Sequence, residues 1–286
     1  MGKKRKVFLK TLAAMISLLI LAMAYPPSRS LLIMAPYSHM HYRDSFMHGE
    51  GIEFTIPGGL KTAKRDWYPL MIAFTDDAGF SRYIGEEASF TVLYAFGHFD
   101  LFEGRSVYFD PQSSYYSSFY GGYAIKLESG RPFGYNDDGS VNAGELARVP
   151  RFDQLSLVLP SIGCPDSMRV FEERILSIAD DVSYAGHSGW TRIDSEIKTN
   201  GSIHGFTKFH TGYLQFGMPP SSAKGPDYPP IGLKGRVYVR YFEELGATFV
   251  LYVMAPDWDV IDECDRALLS KAVIRRRGRG FGRAAG

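Results

Sequence analysis

The sequence predicts an α+β domain, a mainly antiparallel sheet packed by a middle helix and a C-terminal helix, preceded by an N-terminal membrane segment. Three observations carry that expectation. A charge-free apolar run follows a basic cluster at the start of the chain. Beyond residue 50, short apolar or alternating runs recur between Gly- and Pro-rich breaks. Two later stretches repeat apolar residues at helical spacing. Composition agrees, since 45% apolar and 22% charged residues is an ordinary globular balance. Aromatics at 14%, with 18 Tyr and 20 Phe, favour strands over helices.

Thr11–Ala24 is fourteen residues without a charge, preceded by Lys3, Lys4, Arg5, Lys6 and Lys10. A basic flank before an apolar run of this length is the layout of an export signal. The positive-inside rule keeps the lysines in the cytoplasm and sends the chain beyond Tyr25 across the membrane. Two fates are open. Counted from Val7, the apolar stretch is eighteen residues, just long enough to span. The chain is then a single-pass protein of the cell membrane with its C-terminal domain extracytoplasmic. Alternatively, Ala22-Met23-Ala24 is a small-x-small triplet, and cleavage following Ala24 gives a secreted protein.

The formal net charge is +1, but residues 1–24 carry five basic groups and residues 271–286 carry six, neither with an acid. That leaves −10 for residues 25–270. An acidic body argues against nucleic acid as a partner. Cys164 and Cys264 are the two cysteines, in a chain expected to leave the reducing cytosol. They form a disulfide closing a long loop, or else two buried thiols packed as small hydrophobes.

The chain divides into a signal peptide or single transmembrane anchor over 1–24, a juxtamembrane linker over 25–50, the domain over 51–274 and a disordered basic tail over 275–286. The linker carries His39, His41 and His48 with Asp44 and Glu50, at a spacing that fits no compact zinc pattern. From Ile52 the pattern is β: Ile52–Pro57 alternates into a Pro-Gly-Gly turn, and Trp67–Thr75 and Ser89–Phe96 are apolar runs of strand length. Asp76–Gly85 between them reads as a loop or one short helical turn, and Gln154–Pro160 as a strand. Met168, Phe171, Ile175, Ile178, Ala179 and Val182 follow Pro165-Asp166 at helical spacing, which predicts the middle helix over 166–182. Met218–Ile231, rich in Pro, Ser and Gly, is a loop. Arg236–Phe242 alternates, Glu243–Gly246 turns and Ala247–Met254 is nearly all apolar, a hairpin whose second strand is buried. The last helix covers 257–274. Trp258, Ile261, Cys264 and Leu268 line one side, and acids at its start and bases at its end suit the helix dipole.

Three sets of residues are candidates for chemistry. Tyr115, Tyr116 and Tyr120 lie in an aromatic stretch with Tyr108 and Tyr123; exposed, they form a platform for a sugar ring or a partner, and buried, they are packing. Gly134–Glu145 aligns with a calcium loop, placing Asn136, Asp138, Asn142 and Glu145 at ligand positions and Gly139 at the turn. Its first position is Gly, which removes one carboxylate, and the residues leading into it cannot form a helix. His187, His204 and His210, with Asp194 and Glu196 nearby, are the best acid–base cluster. The sequence has no nucleophile elbow, HExxH or phosphate loop. The expected function is therefore that of an exported, membrane-tethered envelope protein acting as a non-catalytic binding or interaction domain. The alternative is an extracytoplasmic hydrolase using a His/carboxylate site. The expected partners are the membrane, through the N-terminal segment, and an envelope protein or polymer; no cofactor is expected, calcium being the single candidate.

Overall fold

The computed structural model describes residues 2–24, 36–57, 72–96, 99–100, 105–203 and 226–277. Helix α1 (Gly2–Ala24) is long and apolar enough to cross a membrane, and none of its residues is buried by the other described residues. The strands before the chain's midpoint are β1 (Ile52–Thr55), β2 (Ile72–Thr75), β3 (Ala88–Phe96), β4 (Phe99–Asp100), β5 (Arg105–Ser106) and β6 (Phe119–Leu127). Those after it are β7 (Glu172–Tyr184), β8 (His187–Asn200), β9 (Pro230–Phe242), β10 (Ala247–Ala255) and β11 (Val273–Arg276). Seven of them form one antiparallel sheet in the order β2-β3-β6-β10-β9-β8-β7, while β1 pairs with β11 and β4 with β5.

Strand β10 sits at the middle of the sheet, and its side chains alternate between two cores. Val250, Tyr252 and Met254 join the first core, where Phe80, Phe90 and Phe152 pack ring against ring. Phe249, Leu251 and Val253 join the second, where Phe54 and Phe242 both meet Phe249 edge-on. All nine residues of β10 are buried, because both faces are covered. The first face carries helix α2 (Asp77–Ile84) and the helical run 143–161. The second carries helix α3 (Trp258–Ala267), the β1–β11 pair and Met47.

Two adjacent glycines in β6 let these layers close on the sheet. A Cβ on Gly121 would fall 2.0 Å from the Leu93 carbonyl oxygen and 2.9 Å from the Tyr252 hydroxyl. On the opposite face, a Cβ on Gly122 would fall 2.5 Å from the Phe54 ring and 2.7 Å from the Val250 carbonyl oxygen. Each missing side chain is replaced by an aromatic ring from another strand.

Helix α3 is latched to the sheet by charge as well as by Ile261 and Cys264. Arg236 on β9 donates to Asp194 (2.7 Å), Asp262 (2.7 Å) and Asp265 (3.1 Å). Asp265 also accepts from the hydroxyls of Tyr238, at 2.6 Å, and Tyr184. The two tyrosine rings stack 3.6 Å apart. Dipole complementarity thus understates these acids, since Asp262 and Asp265 satisfy a guanidinium that is only 12% exposed.

Several expectations are corrected. Residues 172–184 are strand β7, not a helix. Its pairing with β8 slips between Ile175 and Ser177, so a β-bulge puts Ile175 and Ile178 on one face three residues apart, a spacing that mimics a helix. Ala185 and Gly186, with φ of 48° and 77°, then make the left-handed hairpin turn that commits the segment to β. The strand expected at 154–160 is a π-helical turn (Asp153–Val158) running into Leu159–Ser161, its polar and apolar alternation notwithstanding. Asp76–Gly85 forms the two-turn helix α2, capped by the Asp76 side chain and by Gly85 at φ 78°. The last helix stops at Ala267, and strand β11 occupies 273–276, across the point where the tail was expected to begin. Residues 36–44 and 46–49 of the linker are helical, with Met47 buried and His41 bonded through Nδ1 to Thr75 Oγ1 (2.9 Å). The hairpin of β9 and β10 is as expected, whereas 67–71 and most of the loop at 218–231 lie outside the described residues.

Gly121→Ala and Gly122→Ala are each expected to lower stability by about 1–3 kcal/mol through overpacking. Gly232→Ala, in the same sheet with nothing within 4 Å of the new Cβ, is expected to be neutral or stabilising. Urea unfolding of the three variants checks the contrast.

Candidate functional site

The helical run on the first face opens with Ala143–Leu146, started by Asn142, whose side chain accepts from the Glu145 amide. Gly134, at φ 82°, lets Leu146 pack directly over it, where a Cβ would fall 2.4 Å from Leu146 Cδ2. This wall leaves the far strands partly open, with Ile175 and Ile178 on edge strand β7 39% and 47% exposed. Between wall and sheet lies a narrow cleft of about 30 Å³, room for a water or two. Leu146, Val149 and Pro150 form one side, and Ile193, Val237, Val250 and Met254 form the floor. Glu173 of β7 is the one carboxyl that lines it.

Two tyrosines complete the floor. Tyr123 and Tyr252 stack with ring centroids 4.5 Å apart. The Tyr123 hydroxyl donates to Asp153 Oδ2 at 2.7 Å, and Asp153 is fully buried in the π-helical turn. The Tyr252 hydroxyl is also buried, with the Tyr123 side chain as a hydrogen-bonding neighbour. Burial, and then the Asp153 charge, hold the Tyr252 pKa well above its ordinary value, so Tyr252 stays a proton donor. Burial also raises the Glu173 pKa, against a smaller opposing pull from the Ser195 hydroxyl. A cleft of that size admits water beside one carboxyl and an otherwise apolar lining.

The sequence candidates are not brought together here. His187 opens β8, and its ring meets Phe242 edge-on at 4.9 Å, away from the cleft. His204 and His210 lie outside the described residues. Tyr116 and Tyr120 are buried, Tyr120 donating to the Pro57 carbonyl at 2.7 Å, and half-buried Tyr115 donates to Glu263 at 3.2 Å. These side chains pack and cap; they do not present a common exposed platform.

The calcium-loop alignment likewise has a turn explanation. Tyr135 and Val141 form a β-bridge, and Asp138 accepts from the amide and hydroxyl of Ser140. Asn136 donates to Ser140, and Asn142 is the helix cap described above. Glu145 turns away to accept from Gly134 N and from Arg131, at 2.7 and 2.6 Å. Among the described residues no group of three His, Cys, Asp or Glu is placed to hold a metal. Cys164 and Cys264 are both free thiols, buried in different clusters.

Sequence reasoning missed Glu173, Tyr252 and Asp153. Glu173 was hidden inside the expected helix, and Asp153 beside the expected strand. The one available signal was the acid-containing apolar run FEERILSI, in which a carboxyl alternates with β-branched residues. No protein family, curated protein or solved structure matches the chain.

Millimolar calcium is expected to leave the thermal midpoint unchanged, because the loop's oxygens are committed to Ser140, Gly134 and Arg131. A calorimetric rise with calcium concentration would show the cation bound. The raised Glu173 pKa means the folded state holds that proton more tightly than the unfolded chain. The linked stability is full below the unfolded carboxyl pKa and is lost as pH rises through the folded value. Glu173→Gln is therefore expected to raise the midpoint at pH 8 and leave it near wild type at pH 4. Equal shifts at both pH values would contradict the assignment.

Proposed function

We propose that the chain is an exported, membrane-tethered envelope protein whose extracytoplasmic α+β domain binds a ligand without catalysing a reaction. The observation that carries the proposal is helix α1, long and apolar enough to cross a membrane behind a basic flank, in the same chain as a folded sheet domain. In the cleft over β8, β9 and β10 Tyr252 is held protonated, and no cysteine or histidine is among the lining residues. That suits retention of a ligand and not hydrolysis. Helix α1 and its basic flank support the tether, with the lysines remaining in the cytoplasm. Cleavage after Ala24 would release the same domain.

Intact mass of the native protein, taken separately from membrane, medium and cytosol, tests the location. Full length in the membrane fraction supports the tether, and a chain beginning at Tyr25 in the medium supports release. Full length in the cytosol overturns both. Binding is tested by cross-linking the full-length protein in its own membrane: repeated capture of one envelope protein or polymer supports the reading, and capture of none overturns it.

A further inference from the structure

We propose that His41 is a pH-sensitive latch: uncharged, it holds residues 36–41 of the linker against edge strand β2, and its protonation in acid releases them. The inference rests on α1 being the tether, which places these residues between the membrane helix and the domain.

Hydrogen bonding decides which form of the ring docks. Strand β2 ends the seven-stranded sheet, and the Thr75 amide donates to His41 Nδ1 at 3.3 Å. The Thr75 hydroxyl lies 2.9 Å from the same nitrogen. A nitrogen that accepts from an amide carries a lone pair, so the docked imidazole is uncharged, with its proton on Nε2. The ring also packs on Tyr37 and Phe74, with centroids 4.2 and 5.0 Å away. A proton on Nδ1 would face the Thr75 N–H and leave that part-buried donor without its acceptor.

Among the described residues, one charge acts on the ring. Asp44, on the same helix, favours the charged form, more weakly than burial opposes it. His39 and Arg43 are exposed, and His48 meets the Tyr42 ring edge-on. Beyond β2, Asp76 accepts from the Gly79 amide and Asp77 from the Phe90 amide. Burial thus holds the His41 pKa below its ordinary value. Docking is at full strength above the ordinary imidazole value and is lost as pH falls through the lowered one. Release stops short of the domain, because Tyr42 donates to the Ile52 carbonyl at 3.2 Å, Ser45 caps the next helical turn and Met47 is buried. Once free, residues 36–41 can stretch from roughly 9 Å as helix to about 20 Å, which extends the domain's reach from the membrane.

The test is hydrogen exchange of the full chain in nanodiscs of zwitterionic lipid. Mass spectrometry follows peptides covering 36–41 and 72–75, with protection expressed relative to intrinsic rates at each pH. So short a helix does not persist by itself in water, so its amides report docking. Between about pH 7.5 and pH 5, protection in both peptides is expected to fall about tenfold in wild type, as the loss of one hydrogen bond implies, while strand β10 stays protected. His41→Asn, whose side-chain oxygen stands in for Nδ1 and takes no proton in this range, should keep the segment protected at both pH values. Asp44→Asn, at an exposed position, should move the transition to lower pH. Protection that does not change with pH overturns the inference, as does a loss in acid that His41→Asn shares. An Asp44→Asn transition that stays in place overturns it as well. A full-length chain that stays out of nanodiscs removes the tether and the change in reach with it, whereas unchanged protection removes the latch alone.

Discussion

The distance of closest approach to strand β6 governs the whole domain. Gly121 and Gly122 expose the backbone of the sheet on both faces, and an aromatic ring from a remote strand fills each gap. Tyr252 settles over Gly121 and becomes the floor of the cleft. Phe54 settles over Gly122 and brings the β1–β11 pair onto the second face, where it meets Phe249 edge-on. A methyl group at either site would displace a layer, because the nearest atoms include backbone carbonyls that cannot turn aside.

The two faces are closed by different physics. On the second face, charge meets charge: Arg236 donates to three carboxylates, and Asp265 also takes two tyrosine hydroxyls. Removing one partner from such a group leaves a costly orphan, so the latch favours one position for α3 over nearby alternatives. The first face is packed by apolar groups around a single buried carboxylate, Asp153, which the Tyr123 hydroxyl satisfies. Its helical wall covers the middle of the sheet and leaves β7 partly open, so apolar side chains and one carboxyl remain at an opening. The cleft is where coverage of an otherwise two-sided sheet runs out.

Much of the fold was legible because it depends on local rules. The β9–β10 hairpin follows from alternation, a short turn ending in Gly246 and a buried apolar run. Strand β3 follows from an unbroken apolar stretch. What failed did so for identifiable reasons. The bulge after Ile175 changed a period of two into a spacing of three, which periodicity alone assigns to a helix. The π-helical turn at 153 was invisible because its buried Asp and Gln look like the solvent side of a strand. In the calcium-like loop the same Asp and Asn oxygen atoms that would bind a cation also serve a turn and a helix cap.

By itself, the sequence determined the apolar N-terminal helix, the antiparallel β-rich α+β class and the acidic balance of the body, because each is a sum over neighbouring residues. The tertiary structure alone decided that Tyr116 and Tyr120 are buried, that the cysteines stay apart and that Glu173 and Tyr252 line one apolar cleft. Those facts depend on which strands lie side by side. Glu173 and Tyr252 are far apart in the chain, and only the order β10-β9-β8-β7 and the gap in the helical layer bring them to one opening.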